Sequence, residues 1–166
     1  ATAGSETLGS LAGSGSVALG GGTLTVGNAT DTNFGGTVSG TGNLLKVGGG
    51  TLTLSGANSY GGSTQVAAGT LALTGDDRLP GTTALTVDAG AVLALGGTQA
   101  ASDLLLAGTL AGNGTLTAPT YALVGGTVAS GAALGAGTLT STGNSLLAGT
   151  AAATTVQVDG GTLTLG

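Results

Sequence analysis

The stretch that decides the fold runs from Gly40 to Leu73, GTGNLLKVGGGTLTLSGANSYGGSTQVAAGTLAL. Within it, Gly50-Thr51-Leu52-Thr53-Leu54 alternates strictly. Side chains alternate across a strand, so Leu52 and Leu54 point to one face and Thr51 and Thr53 to the other. The unit returns as Gly69-Thr70-Leu71-Ala72-Leu73 and as Gly161-Thr162-Leu163-Thr164-Leu165, with an earlier copy at Gly22-Thr23-Leu24-Thr25-Val26. Looser copies begin at Gly108, Gly114 and Gly137. A short strand with one apolar face cannot bury that face alone. Stacked copies can, and that is the physical meaning of a repeat at this period.

Composition agrees. Of 166 residues only 5% are charged and 37 are glycine, whereas an ordinary globule carries about 25% charged residues. The apolar share of 40% excludes a disordered chain, which is poor in apolar residues and rich in charge. The glycines follow no G-X-Y period, so collagen is excluded as well. What remains is an ordered, strand-rich chain punctuated by glycine.

Cysteine, methionine, tryptophan and histidine are absent. No disulfide, thiolate zinc site, haem ligand or imidazole base can be built, and we expect no catalytic, cofactor-binding or metal-binding residues. The net charge of -5 comes from Glu6, Asp31, Asp76, Asp77, Asp88, Asp103 and Asp159 against Lys46 and Arg78. These are scattered, with no basic stripe for nucleic acid and no polybasic patch for anionic lipid. No run of about 18 apolar residues could form a membrane-spanning helix. The first residues, Ala1-Thr2-Ala3-Gly4, lack the features of a signal peptide, so an export signal is expected outside this sequence.

In chain order, short strands alternate with turn signals. Strands are expected at Thr23–Val26, Gly36–Ser39, Leu44–Val47, Ala84–Val87 and Ala91–Leu95, with Leu104-Leu105-Leu106 as a buried run and Val156-Gln157-Val158 as a late strand. Asn28 to Asn33 reads as a polar loop, and Gly75 to Gly81 as another, where Pro80 lacks a ladder donor. Glycine breaks almost every window before a helix can complete three turns. The one remaining segment, Gln99 to Leu106, reads as a corner followed by a strand.

Spacing then selects the architecture. Gly50, Gly69, Gly90, Gly108 and Gly126 recur at steps of about 20 residues, the length of one turn of a parallel β-helix. The expected fold is all-β, a parallel β-helix of roughly eight coils and ~40 Å, with Leu, Val and Ala inside and Thr, Ser and Gly outside. A β-sandwich also uses short strands, but it rarely repeats one strand sequence and usually buries more aromatic side chains.

The run Asn33-Phe34-Gly35-Gly36-Thr37-Val38-Ser39-Gly40-Thr41-Gly42-Asn43-Leu44-Leu45-Lys46 and its continuation VGGGTLTLSGANSYGGSTQVAAGTLAL resemble the autotransporter-associated β-strand repeat. The flanks GSLAGSGSVALG, RLPGTTALTVDAGAVLALGG and AGTLAGNGTLTAP are similar to such passengers, so the likeness covers about residues 8–118 and weakens after Pro119. The best-matching repeat is 33–73, within a single β-helical segment over 1–166 that reads as a fragment of a longer passenger. The resemblance implies a right-handed β-helix at the bacterial cell surface or outside the cell, exported across the outer membrane through a C-terminal barrel. Barrel strands need roughly ten residues and aromatic girdles, and only Phe34, Tyr60 and Tyr121 are aromatic, so that barrel is expected elsewhere.

Each tempting site has a simpler reading. Asp76-Asp77 beside Arg78 suggests an acid/base pair or a cation site, but adjacent loop carboxylates read better as a solvated charge cluster. Asp31-Thr32-Asn33 offers oxygen ligands without any calcium-loop pattern, and reads as a polar turn. Lys46 is expected to be a solvated strand-end charge, and Tyr60 to pack over a corner. Serine and threonine are plentiful, yet there is no GxSxG elbow and no histidine base. The leading function is a structural, adhesive rod whose partners are host or bacterial surface molecules, or other copies of itself. The alternatives are the scaffold of a polysaccharide-acting enzyme and an ice-binding solenoid, the latter prompted by Thr23/Thr25, Thr51/Thr53, Thr115/Thr117, Thr138/Thr140 and Thr162/Thr164. The apolar end Gly160 to Gly166 carries no charge or proline, which suggests end-to-end association by strand addition.

Overall fold

Alternation in the repeat unit becomes alternation of burial. Thr23–Val26, Thr51–Leu54 and Thr70–Leu73 are strands in which the threonine or alanine positions are half-buried and the Leu or Val positions fully buried. The computed structural model describes residues 4–152 and 155–165, so the expectations for Ala1, Thr2, Ala3 and Gly166 lie outside the described residues. No helix occurs among them, and none is long and apolar enough to cross a membrane.

Successive strands wind into a parallel β-helix of about eight turns. Nine strands, from Glu6–Leu8 to Thr155–Val158, stack in parallel as one wall. Eight strands, from Thr32–Phe34 to Leu163–Leu165, form a second wall. The third wall is split. Ser16–Leu19, Thr37–Gly40 and Ser59–Tyr60 make a three-stranded sheet, while Thr98–Ala100, Thr115–Thr117, Ala133–Leu134 and Thr150–Ala151 make a four-stranded one. The loop around residues 74–83 fills the gap between them, where the sequence placed its Gly75–Gly81 loop.

Register stacks like on like inside the rod. Leu52, Leu71, Leu93, Leu110, Val128 and Leu147 lie in one inward rank of the eight-stranded wall. Leu24, Leu44, Thr64, Leu85, Leu104, Tyr121 and Leu139 form the matching rank of the nine-stranded wall. Each buried Leu contributes about 1.5–3 kcal/mol relative to exposure. A charge-poor chain can therefore hold together without ion pairs.

Two glycines show why the corners are glycine. At Gly69 φ is +64°, a left-handed conformation that L side chains rarely adopt, and a Cβ there would overlap the Gly48 carbonyl of the coil below. At Gly36 a Cβ would overlap the Gly15 carbonyl. Coils this closely stacked leave no room for a side chain at those points.

Several local expectations need correction. The loop expected over Asn28–Asn33 ends early, because Thr32–Phe34 is a strand paired to Thr51–Leu54. Leu104–Leu106 is not a uniformly buried run: Leu104 and Leu106 are inside, whereas Leu105 points out and is 42% exposed, since a strand with a solvated outer face buries only alternate residues. Gln99 belongs to the strand Thr98–Ala100 rather than to a corner. The interior also holds polar side chains, among them Thr64, Thr83, Gln99, Ser141 and Ser145.

Candidate functional site

The acidic loop was the strongest candidate for chemistry, and its geometry is structural. Asp76 Oδ1 accepts a hydrogen bond from the Thr98 amide of the next coil at 2.7 Å. The Asp77 amide donates to Thr98 O at 2.9 Å, with Asp77 at φ +53°. Arg78 donates through Nη1 to Ser55 O of the coil below at 2.9 Å. The two aspartates are exposed, Asp76 as a cap on the Thr98 amide and Asp77 in a left-handed turn.

Around that loop, side-chain amides replace the missing ladder. Gln99, fully buried, accepts at Oε1 from the Arg78 and Leu79 amides (2.7 and 3.2 Å) and donates through Nε2 to Gly75 O at 2.7 Å. From the other side, Asn58 accepts from the Val38 amide at 2.8 Å and donates to Arg78 O at 2.7 Å. Buried backbone groups need partners, and here two primary amides supply them. Sequence reading passed over both residues. Their signal was position, an amide at an inward site beside the loop, and register is needed to see it.

Lys46 corrects an expectation outright. It is not a solvated strand-end charge but 1% exposed, in the inward rank between Val26 and Val66. Its Nζ donates to Val47 O, Gly48 O and Ala68 O at 2.8, 3.0 and 3.1 Å, so all three ammonium protons have acceptors. Burial lowers its pKa from the ordinary lysine value, and the charge of Asp31 partly restores it. Parity with buried Leu44 in Asn43-Leu44-Leu45-Lys46 was the available signal. Asp31 itself caps a strand, accepting from the Thr51 amide at 2.6 Å, but Thr32 and Asn33, expected in the same polar turn, belong to the strand Thr32–Phe34.

Tyr60 is 1% exposed, and its hydroxyl lies 2.6 Å from Thr64 Oγ1, which in turn meets Thr83 Oγ1 at 3.1 Å. Burial pushes the phenol up to about 12, against a smaller opposing effect of the Thr64 bond. Tyr121, also buried, accepts from the Ala118 amide and donates to Leu116 O. Its pKa is raised by burial. Both tyrosines fill the interior and neither is displayed for stacking on a ligand. Among the described residues, no three His, Cys, Asp or Glu side chains gather as metal ligands.

What remains for recognition is the outer surface of the walls. On the eight-stranded wall, Thr51, Thr70, Val92, Thr109 and Thr127 form one outward rank and Thr53, Ala72, Ala94 and Ala111 the next. The Thr-x-Thr pairs do not assemble into one array. Thr23/Thr25 and Thr138/Thr140 lie on the nine-stranded wall, Thr51/Thr53 and, at its far end, Thr164 of Thr162/Thr164 on the eight-stranded, and Thr115/Thr117 on the four-stranded sheet. Both cations are withdrawn, Lys46 into the core and Arg78 against Ser55 O, while Asp31, Asp76, Asp77 and Asp103 stay exposed. The walls are therefore largely uncharged, with acidic points and no exposed basic group to attract polyanions.

Comparison with known proteins agrees with this geometry. Residues 44–73, inside the best-matching stretch, match the family model described as passenger-associated-transport-repeat. The chain is 51% identical over 55 residues to the adhesin BmaC autotransporter of Brucella suis biovar 1 (strain 1330). That alignment covers 31% of this chain and 2% of that protein, so the chain spans only a small part of its relative's length. No solved structure matches the chain. The chain carries an autotransporter passenger repeat.

Proposed function

We propose that this autotransporter passenger segment is an adhesive rod, which binds host or bacterial surface molecules through the uncharged outer faces of its walls. The observation that carries the reading is the eight-stranded wall. Its outward ranks of threonine, valine and alanine carry no charge, over a core of stacked Leu and Val side chains. A passenger repeat supports display at the cell surface or outside the cell; passage across the outer membrane through a barrel elsewhere in the full protein is part of the proposal. The role is structural rather than enzymatic, in keeping with carboxylates that cap backbone amides. Each coil offers little area, so affinity would accumulate along the rod through many weak contacts.

Beads coated with the chain test this reading by counting attachment to intact bacteria and to host cells, together with bead-to-bead clumping. Wild-type beads are expected to attach or clump, and the outer-wall double variant Ala94→Lys, Thr109→Lys to lose at least ten-fold. Attachment and clumping no greater than on albumin-coated beads would overturn it.

A further inference from the structure

We propose that the seam between the third and fourth coils is a hinge at which the rod bends. The third coil carries the strands Asn43–Lys46, Thr51–Leu54 and Ser59–Tyr60, and the fourth carries Thr64–Val66, Thr70–Leu73 and then the loop instead of a third-wall strand. Two walls cross this seam as unbroken ladders, Leu44↔Thr64 to Lys46↔Val66 and Thr51↔Thr70 to Leu54↔Leu73. On the third wall, Ser59–Tyr60 pairs with the strand Thr37–Gly40 below it and with no strand above.

Beyond the Thr74 amide's bond to Leu54 O, which ends the eight-stranded ladder, the hydrogen bonds that cross the third wall share one property. Asn58 Nδ2 donates to Arg78 O at 2.7 Å, Arg78 Nη1 to Ser55 O at 2.9 Å and Thr83 Oγ1 to Gly62 O at 2.9 Å. Every donor is a side chain. Such bonds can swing away by rotamer change, whereas a ladder bond opens only when backbone moves. Arg78 Nε adds to the looseness, being buried without a hydrogen-bond partner.

The opposite corner of the same seam is pinned. It lies where the two continuous walls meet, and Lys46 Nζ there joins Val47 O and Gly48 O of the third coil to Ala68 O of the fourth. A three-walled rod that is latched on one wall and stapled at the corner facing it has its bending axis at the staple. Bending opens the third wall between Asn58 and Arg78 and leaves both ladders intact, which is hinge motion borne by a few residues.

Spin-label distances test the hinge. The chain has no cysteine, so labels go only where cysteines are placed. One pair, Thr37→Cys with Thr117→Cys, spans the seam on exposed third-wall positions; the other, Thr25→Cys with Leu105→Cys, spans it on the nine-stranded wall. Each pair is four coils apart, ~19 Å at ~4.8 Å per coil. The third-wall distribution is expected to be at least twice as wide as the other. Arg78→Met is expected to shift it to longer distances and leave the nine-stranded pair unchanged. Equal widths, unaltered by Arg78→Met, would overturn the hinge. Hydrogen exchange on the unsubstituted chain decides independently of how the variants fold. The Asn58 side-chain amide, which donates across this seam to Arg78 O, should exchange at least ten-fold faster than the Gln99 side-chain amide, which donates across the next seam to Gly75 O. Equal rates would count against it.

Discussion

Lys46 and Ala68 sit in successive coils, and the ammonium of the first donates to the carbonyl of the second at 3.1 Å inside the wall of the rod. The same ammonium satisfies Val47 O and Gly48 O. A buried charge is tolerable when it is fully hydrogen-bonded, and removing it strands its acceptors.

Lys46→Met should therefore lower stability by about 2–4 kcal/mol despite its similar volume, because three carbonyls lose their donor. Lys46→Ala should lose more and regain part of it when a small alkylammonium salt is added. Thermal unfolding with and without that salt, against sodium chloride at the same ionic strength, checks both. An unchanged melting temperature in Lys46→Met would show that the ammonium adds nothing net.

The register makes Leu52 and Thr53 opposites. Leu52 is 1% exposed within a leucine rank, whereas Thr53 faces outward between Asn33 and Ala72. Leu52→Asp should unfold the region, at a cost above about 4 kcal/mol, while Thr53→Asp should stay within about 1 kcal/mol. Equal losses in circular-dichroism melts would mean that the register is wrong.

Alkaline pH should weaken the fold through Tyr60. Its folded pKa is pushed up to about 12 from 10.0. Between these values the unfolded chain has released a proton that the folded chain still holds, so stability falls as pH rises through that window and is flat below it. The full loss is about 3 kcal/mol. Lys46 works with the opposite sign, because its folded pKa is lowered and rising pH up to the ordinary lysine value relieves the cost of burying its charge. Urea unfolding as a function of pH, compared with Tyr60→Phe, should show the steep alkaline loss shrink in the variant. A persistent, equal slope would assign it to other groups.

Ser141 should be improvable. Its hydroxyl is buried in the inward position above Leu123 and has no hydrogen-bond partner. Ser141→Ala removes the stranded oxygen and should raise stability by about 1 kcal/mol. A lower midpoint in denaturant titration would mean that the hydroxyl is bonded in solution.

The sequence by itself determined that this chain is a stack of short strands, that apolar and polar faces alternate along the repeat units, and where the corner glycines fall. Those are local matters: alternation at Thr51–Leu54 needs no knowledge of neighbours, and the loop near Asp76 announces itself through glycine, charge and Pro80. The passenger resemblance came from the same short-range pattern. Only the tertiary structure decided which wall each copy of the repeat occupies. Register partners are 20 residues apart at Leu24 and Leu44 but 17 apart at Leu104 and Tyr121. Wall position therefore depends on the summed length of all earlier coils, and near-identical units at Gly22, Gly50 and Gly114 land on three different sheets. The roles of Lys46, Asn58 and Gln99 were hidden for the same reason. A polar side chain can remain inside only where carbonyls and amides from another coil converge on it, and those partners lie about 20 residues away in the chain, 22 for Lys46 and Ala68 and 20 for Asn58 and Arg78.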